Sequence, residues 1–158
     1  MEYKIVDYKK EYTPALSDII TRNLTEINSK DYSHEIMKNL ALDFTPEKID
    51  EFSNNRKVFV ALDNNTPVGI ACAAKDIYGN DNDYVILTVF ILPELHDKGI
   101  GANLISKCEQ YVKNVSGLKI TIPASITAHE FYKKLGYDYL DPNKNPNADG
   151  CILMTKLI

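Results

Sequence analysis

The run from Tyr84 to Leu92 constrains the fold more than any other part of the sequence. Every residue in it except Thr88 is apolar or aromatic, so side chains of that kind would point to both faces of a strand. Such a strand lies in the middle of a sheet that is covered on both faces, and Pro93 ends it because proline cannot extend a hydrogen-bonded ladder. We therefore predict an α/β domain in which helices cover both faces of one sheet.

The chain around this strand completes a mixed sheet. A helical stripe over 99–114 and a strand over 118–122 make a βαβ unit, in which the two strands run parallel and the crossover is right-handed. The sequence thus predicts an α+β mixed sheet, largely antiparallel with a central parallel βαβ unit, in one domain over residues 1–158. The other predicted strands are 3–8, 57–62, 68–74, 137–139 and 152–158. The other predicted helices begin near Thr13, Ser33 and Thr45, and a last one carries Ala124, Ala128, Phe131 and Leu135.

Composition excludes several classes of protein. The 158 residues are 44% hydrophobic and 25% charged with a net charge of −4, which fits one globular domain and gives no support for nucleic-acid binding. Cys72, Cys108 and Cys151 lie far apart, so neither a disulfide framework nor a metal site is indicated. No apolar run approaches the ~20 residues of a membrane helix, and the start lacks the pattern of a signal peptide. We expect a cytoplasmic protein with no metal, membrane or nucleic-acid partner.

The corner between the central strand and the next helix is the most informative motif. Gly99 and Gly101 lie where the helix begins, and the first N–H groups of a helix lack intrahelical acceptors and attract phosphate. Three interpretations compete at this point. A dinucleotide GxGxxG motif is incomplete because Leu104 replaces the third glycine, a GxxxxGK[ST] triphosphate loop is absent, and the glycines can simply make a tight turn.

A second segment further along the chain favours one family. The corner reads His96-Asp-Lys-Gly-Ile-Gly101, and the later segment fits the pattern A-x-x-F-Y-x-x-x-G-[F/Y]. Together they resemble the GNAT superfamily of N-acetyltransferases, in which a [Q/R]-x-x-G-x-[G/A] loop follows the fourth strand and the aromatic segment follows the fifth. The resemblance implies the GNAT fold over essentially the whole chain and acetyl-CoA as the co-substrate. The later segment matches the family at Ala128, Phe131, Tyr132, Gly136 and Tyr137.

The resemblance also implies roles for particular residues. Backbone groups of Phe90, Ile91 and Leu92 would pair with the pantetheine arm, and Tyr132 would be the general acid that donates to the departing sulfur. Two positions depart from the family pattern: His96 replaces the usual Gln or Arg, and Ser125 stands where an Asn often contacts the arm. Amides of one loop would hold the coenzyme A pyrophosphate: His96, Asp97, Lys98, Gly99, Ile100, Gly101 and Ala102.

The acceptor side is less defined by the sequence. A primary alkylammonium with a pKa near 10.4 must lose its proton before it can attack, and the central strand contains no Asp or Glu that could accept it. We therefore expect the proton to leave through ordered water. Glu26, Asp31 and His34 lie in the helical insert that covers the acceptor side in this family and are candidate acceptor-binding residues, with solvated surface as the competing interpretation.

Two further arguments concern charge and Tyr132. Residues 1–83 carry 10 basic and 15 acidic side chains (−5), and residues 84–158 carry 8 and 7 (+1), so the acidic half contains the expected acceptor side and suits a cationic amine.

A phenol near pKa 10 that protonates a thiolate near 8.5 works uphill by about 2 kcal/mol, which favours hydrogen-bond donation over full proton transfer. Core packing beside Phe131 is the competing interpretation for Tyr132.

The predicted function is acetyl transfer from acetyl-CoA to a primary amine of a small molecule or peptide. One alternative keeps the fold without the chemistry, as a non-catalytic acyl-CoA-binding or regulatory module. A second alternative is a nucleotide-binding α/β protein. A homodimer is compatible with the sequence, because an exposed strand near the C-terminus could pair with a second chain.

Overall fold

The predicted mixed sheet is confirmed. The computed structural model describes residues 1–158 and contains one seven-stranded sheet of order β1-β2-β3-β4-β5-β7-β6, in which only the β4–β5 pair is parallel. The strands are β1 Tyr3–Asp7, β2 Lys57–Asp63, β3 Thr66–Lys75, β4 Asp83–Ile91, β5 Lys119–Ala124, β6 Asp138–Tyr139 and β7 Ile152–Leu157. The α-helices are α1 Thr13–Arg22, α2 His34–Ala41, α3 Pro46–Phe52, α4 Ile100–Asn114 and α5 His129–Lys134.

The two faces of the sheet bury separate hydrophobic cores. Alternate residues of β2 divide between them, because successive side chains of a strand point to opposite faces. Val58, Val60 and Leu62 pack with α1, α2 and α3, whereas Phe59 and Ala61 pack with α4 and α5. The helices therefore cover both faces, and α1 to α3 form a layer opposite α4. No helix combines the length and apolar character that crossing a bilayer requires.

The helical layer before β2 contains one irregular turn that matters for the site. The sequence pattern predicts a helix that continues to Ile27, but α1 ends at Arg22 and residues Asn23–Ile27 form a π-helical turn followed by a 3₁₀ turn over Asn28–Lys30. π turns inside helices are frequent at functional sites because they redirect side chains. The predicted caps of α2 and α3 are present, since Ser33 accepts from the Ile36 N–H and Thr45 from the Lys48 N–H.

An ion pair joins β4 and β5 where their pairing begins. The buried Asp83 carboxylate lies 3.1 Å from the Lys119 ammonium, and Asp83 and Lys119 are also partners in the parallel register. A hydrogen bond from the Asn80 N–H and the contact with Lys119 lower the pKa of Asp83. The charged carboxylate therefore stabilises the folded state at neutral pH.

We predict that Asp83→Asn lowers the melting temperature at pH 7 and that the difference from wild type shrinks in acid. A carboxyl whose pKa is lower in the folded than in the unfolded chain stabilises the fold above the unfolded pKa of about 3.9, and this contribution is lost as the pH falls through the folded pKa. Thermal melts followed by circular dichroism between pH 7 and pH 3 measure it. Asp18→Asn, an exposed carboxylate on α1, is the control. An Asp83→Asn difference that is equal at both ends of the pH range would contradict the prediction.

Candidate active site

The sheet opens into a cleft between β4 and β5. Parallel pairing covers only residues 83–85 of β4 and 119–121 of β5. The Ile158 N–H donates to the Leu118 carbonyl, and backbone groups along a strand point alternately to its two neighbours. The N–H and C=O groups of even-numbered residues in β5 therefore point to β7, and those of odd-numbered residues point to β4. Pro123 therefore stands where the next N–H toward β4 would be needed, and proline has none. Beyond this point the two strands diverge.

The cleft contains a cavity of about 380 Å³. Its walls come from β4, from the first turn of α4, from the β5–α5 segment and from the helical turns that follow α1. The predicted residues that line it are Phe90, Ile91, His96, Asp97, Gly99, Ile100, Gly101, Ala102, Ser125 and Tyr132. The predicted residues that do not line it are Leu92, Lys98, Glu26, Asp31 and His34.

A run of unpaired backbone amides opens onto one end of this cavity. The Asn103 N–H is the first of α4 to find a helical acceptor, the Gly99 carbonyl, whereas the N–H groups over residues 97–102 have no acceptor in the protein. The His96 N–H is already used, since it donates to the Pro93 carbonyl at 3.4 Å. Unpaired amides at the positive end of a helix dipole bind phosphate groups. The loop therefore retains this capacity over residues 97–102, without the His96 amide.

The two glycines of the corner meet different structural requirements. Gly99 has φ +83°, a left-handed conformation that costs side-chain-bearing residues energy, with open space around its α-carbon. Gly101 allows the start of α4 to lie close to α5, because a Cβ at this position would lie only 3.2 Å from the Phe131 Cζ. The corner thus brings α4 against α5, which carries Tyr132.

The backbone of β4 presents only some of its polar groups to the cleft. The Leu92 N–H donates to the Val68 carbonyl at 2.8 Å and the Leu92 carbonyl accepts from Leu95, so both groups of Leu92 are used. By the alternation of an antiparallel ladder, Phe90 also faces β3, whereas Val89 and Ile91 face the cleft. Of the three residues predicted to pair with the pantetheine arm, Ile91 alone turns its backbone toward the cleft. Val89 was not predicted.

His96 binds the end of β4 instead of pointing along the loop. Its Nε2 lies 2.9 Å from the Ile91 carbonyl and 3.1 Å from the Asn23 Oδ1. The Asn23 amide nitrogen donates to the carbonyls of Ile91, at 2.7 Å, and Ile19, at 2.9 Å. Both neighbours of the imidazole nitrogen are therefore acceptors, and Nε2 carries the proton. His96 and the buried Asn23 together hold the Ile91 carbonyl and link α1 to the rim of the cleft.

Tyr132 is packed in the core and also reaches the cavity. Its side chain is only 6% exposed and its ring lies 5.1 Å from that of Phe131. The nearby hydroxyls of Tyr137 and Tyr139 bond to Glu109 and His129, whereas the Tyr132 hydroxyl has no protein partner. Because no fully buried polar side-chain atom of the protein lacks a partner, this hydroxyl retains some accessible surface, and Tyr132 is one of the residues that line the cavity. Burial raises the pKa of Tyr132, so the phenol is neutral across the physiological range.

The three candidate acceptor-binding residues are not brought together at the cavity. Glu26 is exposed and bonds to Arg22 at 3.1 Å, and the same guanidinium reaches Glu94 at 2.6 Å. Asp31 accepts from the Thr127 hydroxyl at 2.9 Å, beside the rim, and His34 is exposed at the start of α2. Neither the Glu26 nor the Asp31 carboxylate lines the cavity, and Asp97 of the corner is the only carboxylate that does.

The sequence reasoning missed several neutral polar residues of the cavity. Asn23 and Asn28 come from the irregular turns after α1, Thr88 from β4 and Thr127 from the segment before α5. Of these, only Asn28 stands in a polar segment that the sequence marks as a break between helices. The π turn that places Asn23 and the course of β4 at Thr88 depend on tertiary packing, which residue order does not show. No group of three or more His, Cys, Asp or Glu side chains is arranged to hold a metal ion.

The unpaired amides before α4, the splayed strands and Tyr132 thus all belong to one cleft. A family model described as "Acetyltransferase (GNAT) domain" matches residues 27–157. The chain therefore belongs to the GNAT acetyltransferase family, whose members are enzymes that use acetyl-CoA. No curated protein sequence matches the chain significantly.

Solved structures of this family share the fold. The PaiA N-acetyltransferase of Thermoplasma acidophilum, in complex with coenzyme A, is 19% identical with a TM-score of 0.84, and the match covers 100% of both chains. A GNAT-family acetyltransferase of Staphylococcus aureus is 17% identical with a TM-score of 0.76 and 99% coverage of both chains. An aminoglycoside 6'-N-acetyltransferase complexed with coenzyme A is 21% identical, with a TM-score of 0.70 over 98% of this chain and 96% of that one.

We predict that Asn23→Ala lowers the free energy of unfolding by about 1–3 kcal/mol, because it leaves buried carbonyl groups with fewer donors. Urea denaturation followed by circular dichroism measures the loss. Asn55→Ala, at an exposed asparagine before β2, is the control. An Asn23→Ala protein as stable as wild type would contradict the interpretation of Asn23 as a structural link between α1 and β4.

Proposed function

We propose that the protein transfers the acetyl group of acetyl-CoA to a primary amine of a small molecule or peptide by direct attack. One observation carries the proposal: the loop with unpaired amides over residues 97–102 and Tyr132, whose hydroxyl has no protein partner, line the same cavity from different walls. A phosphate group at the amides and a sulfur near the tyrosine are the two ends of one extended molecule. Coenzyme A is such a molecule.

Acetyl-CoA would lie along β4. The amides over residues 97–102 supply donors for the pyrophosphate, and the cleft-facing groups of Val89 and Ile91 supply partners for the amide groups of the pantetheine arm. The Ile91 carbonyl is already held by His96 and Asn23, which leaves its N–H as the free group. Ser125 lines the opposite wall and is a candidate contact to the arm.

The chemistry requires a neutral amine. An ammonium with a pKa near 10.4 gives up its proton at pH 7 at a cost of about 4–5 kcal/mol. The amine nitrogen then forms a bond to the thioester carbon, the carbon–sulfur bond breaks, and the sulfur leaves with its electron pair. The nitrogen releases a second proton and the sulfur gains one, so the products are an amide and a free thiol. The one carboxylate of β4, Asp83, is paired with Lys119 outside the cavity, so water carries the protons to solvent.

Tyr132 is suited to stabilising the sulfur as it leaves. Burial keeps the phenol protonated, so it always has a hydrogen to donate. The same rise in pKa makes full proton transfer to a thiolate more costly than the ordinary phenol–thiol difference of about 2 kcal/mol. We assign Tyr132 the role of hydrogen-bond donor to the developing thiolate, with the final proton drawn from water.

One prediction from the proposed mechanism concerns Tyr132→Phe. The variant keeps the ring and loses only the donor, so kcat should fall by about tenfold to a hundredfold while the Kd for acetyl-CoA stays close to wild type. Thiol release with a primary amine and calorimetric binding of acetyl-CoA measure the two quantities. Tyr111→Phe, on α4 beside Phe59 and outside the cavity, is the matched control. A Tyr132→Phe enzyme with the wild-type kcat would exclude Tyr132 from catalysis.

A further prediction concerns the pH dependence of the rate. With water as the proton acceptor, kcat/KM at fixed acetyl-CoA should rise with pH up to the pKa of the acceptor amine and then level off. For a peptide α-amine, with a pKa of about 7.7–8.0, kcat/KM should level off about two and a half pH units below the value for a lysine-like amine. Tyr132 should produce no decline in this range because its pKa is raised. If kcat/KM levels off at the same pH for both amines, the pH dependence instead reflects a titrating group of the protein.

The experiment that tests the function itself combines binding with turnover. Acetyl-CoA, ATP and NAD are compared for their effect on the melting temperature, and thiol release is assayed with polyamines, aminoglycosides, amino acids and a peptide N-terminus. Selective stabilisation by acetyl-CoA together with turnover of at least one amine supports the proposal. Stabilisation without turnover of any amine would favour a non-catalytic acyl-CoA-binding module, and stabilisation by ATP or NAD alone would favour a nucleotide-binding protein.

A further inference from the structure

Arg56, immediately before β2, is a half-buried cation that touches the wall of the cleft. Its Nη1 lies 3.0 Å from the Thr88 Oγ1, and its guanidinium lies 4.4 Å from the centre of the Phe52 ring. The other arginine of the chain, Arg22, is held by two carboxylates. Arg56 has no carboxylate within 4.0 Å. Its contacts are thus with the Phe52 ring, with the Thr88 hydroxyl of β4 and with the buried Cys72 thiol of β3, and no ion pair accounts for its position.

Thr88, the partner of Arg56, has an unusual backbone conformation. Its φ is +58°, a region that β-branched residues rarely adopt. The register between β3 and β4 shifts at this point: Phe90 is opposite Ile70, but Leu87 is opposite Cys72. β4 therefore contains one extra residue, a β-bulge, and bulges re-aim the side chains and backbone groups that follow them.

The bulge lies where the chemistry is proposed to occur. Thr88 and Val89 both line the cavity, and Tyr132 lines it from α5. Val89 turns its backbone groups away from β3 and toward the cleft, where the thioester of acetyl-CoA would lie. A small rotation at Thr88 would therefore move the polar groups that meet the thioester, and positioning errors of about 1 Å can cost a hundredfold in rate.

We propose that Arg56 is a positioning residue for acetyl transfer: its hydrogen bond to Thr88 fixes the bulge and so aims the backbone of Val89 at the thioester. The inference rests on the proposed function and adds to it a residue far from the phosphate corner. Arg56 itself does not line the cavity and does not contact the substrate. Its stacking on Phe52 holds the guanidinium, and the guanidinium holds the threonine.

The test removes either end of this hydrogen bond. Arg56→Met keeps an unbranched side chain against Phe52 without donors, and Thr88→Val keeps the shape of threonine without the acceptor. Each variant should lower kcat about tenfold to a hundredfold with KM for acetyl-CoA nearly unchanged, because the coenzyme is held mainly elsewhere. The double variant should lose little more than either single one, since both break the same bond. Arg56→Lys, which keeps a donor, should recover part of the loss.

Two precautions separate positioning from a loss of folded protein. All kcat values are expressed per acetyl-CoA-binding site counted by calorimetry, so unfolded protein does not lower them. Lys57→Met is the matched control, because Lys57 is the adjacent cation, lies over the Phe59 ring at 5.4 Å and pairs with Asp7 at 3.0 Å, away from β4. Its kcat should equal wild type.

Several outcomes would overturn the inference. Arg56→Met with the wild-type kcat per site, or single-variant losses that multiply in the double variant, would show that the Arg56–Thr88 bond does not position the bulge. A wild-type protein that binds acetyl-CoA but turns over no amine would overturn the proposed function, and this inference with it. If the wild-type protein turns over an amine and Arg56→Met does so with the same kcat, the inference fails and the proposed function stands.

Discussion

The early end of hydrogen bonding between β4 and β5 is the constraint on which the rest of the structure depends. Pairing extends only over residues 83–85 and 119–121, with Asp83 and Lys119 as an ion pair at the closed end. Beyond it, Pro123 offers no N–H to β4, and the bulge at Thr88 changes the direction of the opposing backbone. A sheet interrupted in this way exposes unpaired polar groups within a largely apolar interior. Those groups remain available to a ligand that enters the cleft.

The helices before β2 partly satisfy the groups that the cleft exposes. The π turn after α1 points Asn23 at the end of β4, where its amide and the His96 imidazole share the Ile91 carbonyl. A short distance along the chain, the Tyr32 hydroxyl donates to the Gly150 carbonyl and accepts from the Ile126 N–H. The helical layer is thus fastened to both sides of the opening. It stabilises the splayed sheet and also forms one wall of the cavity.

The sequence predicted the parts of the site that depend on local order, and the rest depends on contacts between distant segments. Glycine at the start of α4 and the aromatic pair of α5 were recognisable because loop and helix positions follow directly from residue order. Asn23 and the bulge at Thr88 were not, since the first contacts a carbonyl 68 residues away and the second is stabilised by an arginine 32 residues earlier. Hydrophobic periodicity indicates which face of an element is buried, but it does not specify which polar side chains meet there. Glu26 illustrates the same limit, because its partner is Arg22 and not a ligand.

The charge of the cleft matters more for the proposed chemistry than the charge of the chain. An acidic acceptor side would attract an ammonium, but it would also raise the pKa of the amine and so increase the cost of reaching the nucleophilic form. The cavity instead presents asparagine, serine and threonine side chains, and its one carboxylate, Asp97, lies in the loop that precedes α4. A poorly hydrated neutral wall lowers the pKa of a bound amine, which reduces the 4–5 kcal/mol that deprotonation costs in water. The same environment raises the pKa of Tyr132 and keeps its hydrogen available for the sulfur. Exclusion of charge from the centre of the cleft therefore favours the reactive form of both the nucleophile and the donor.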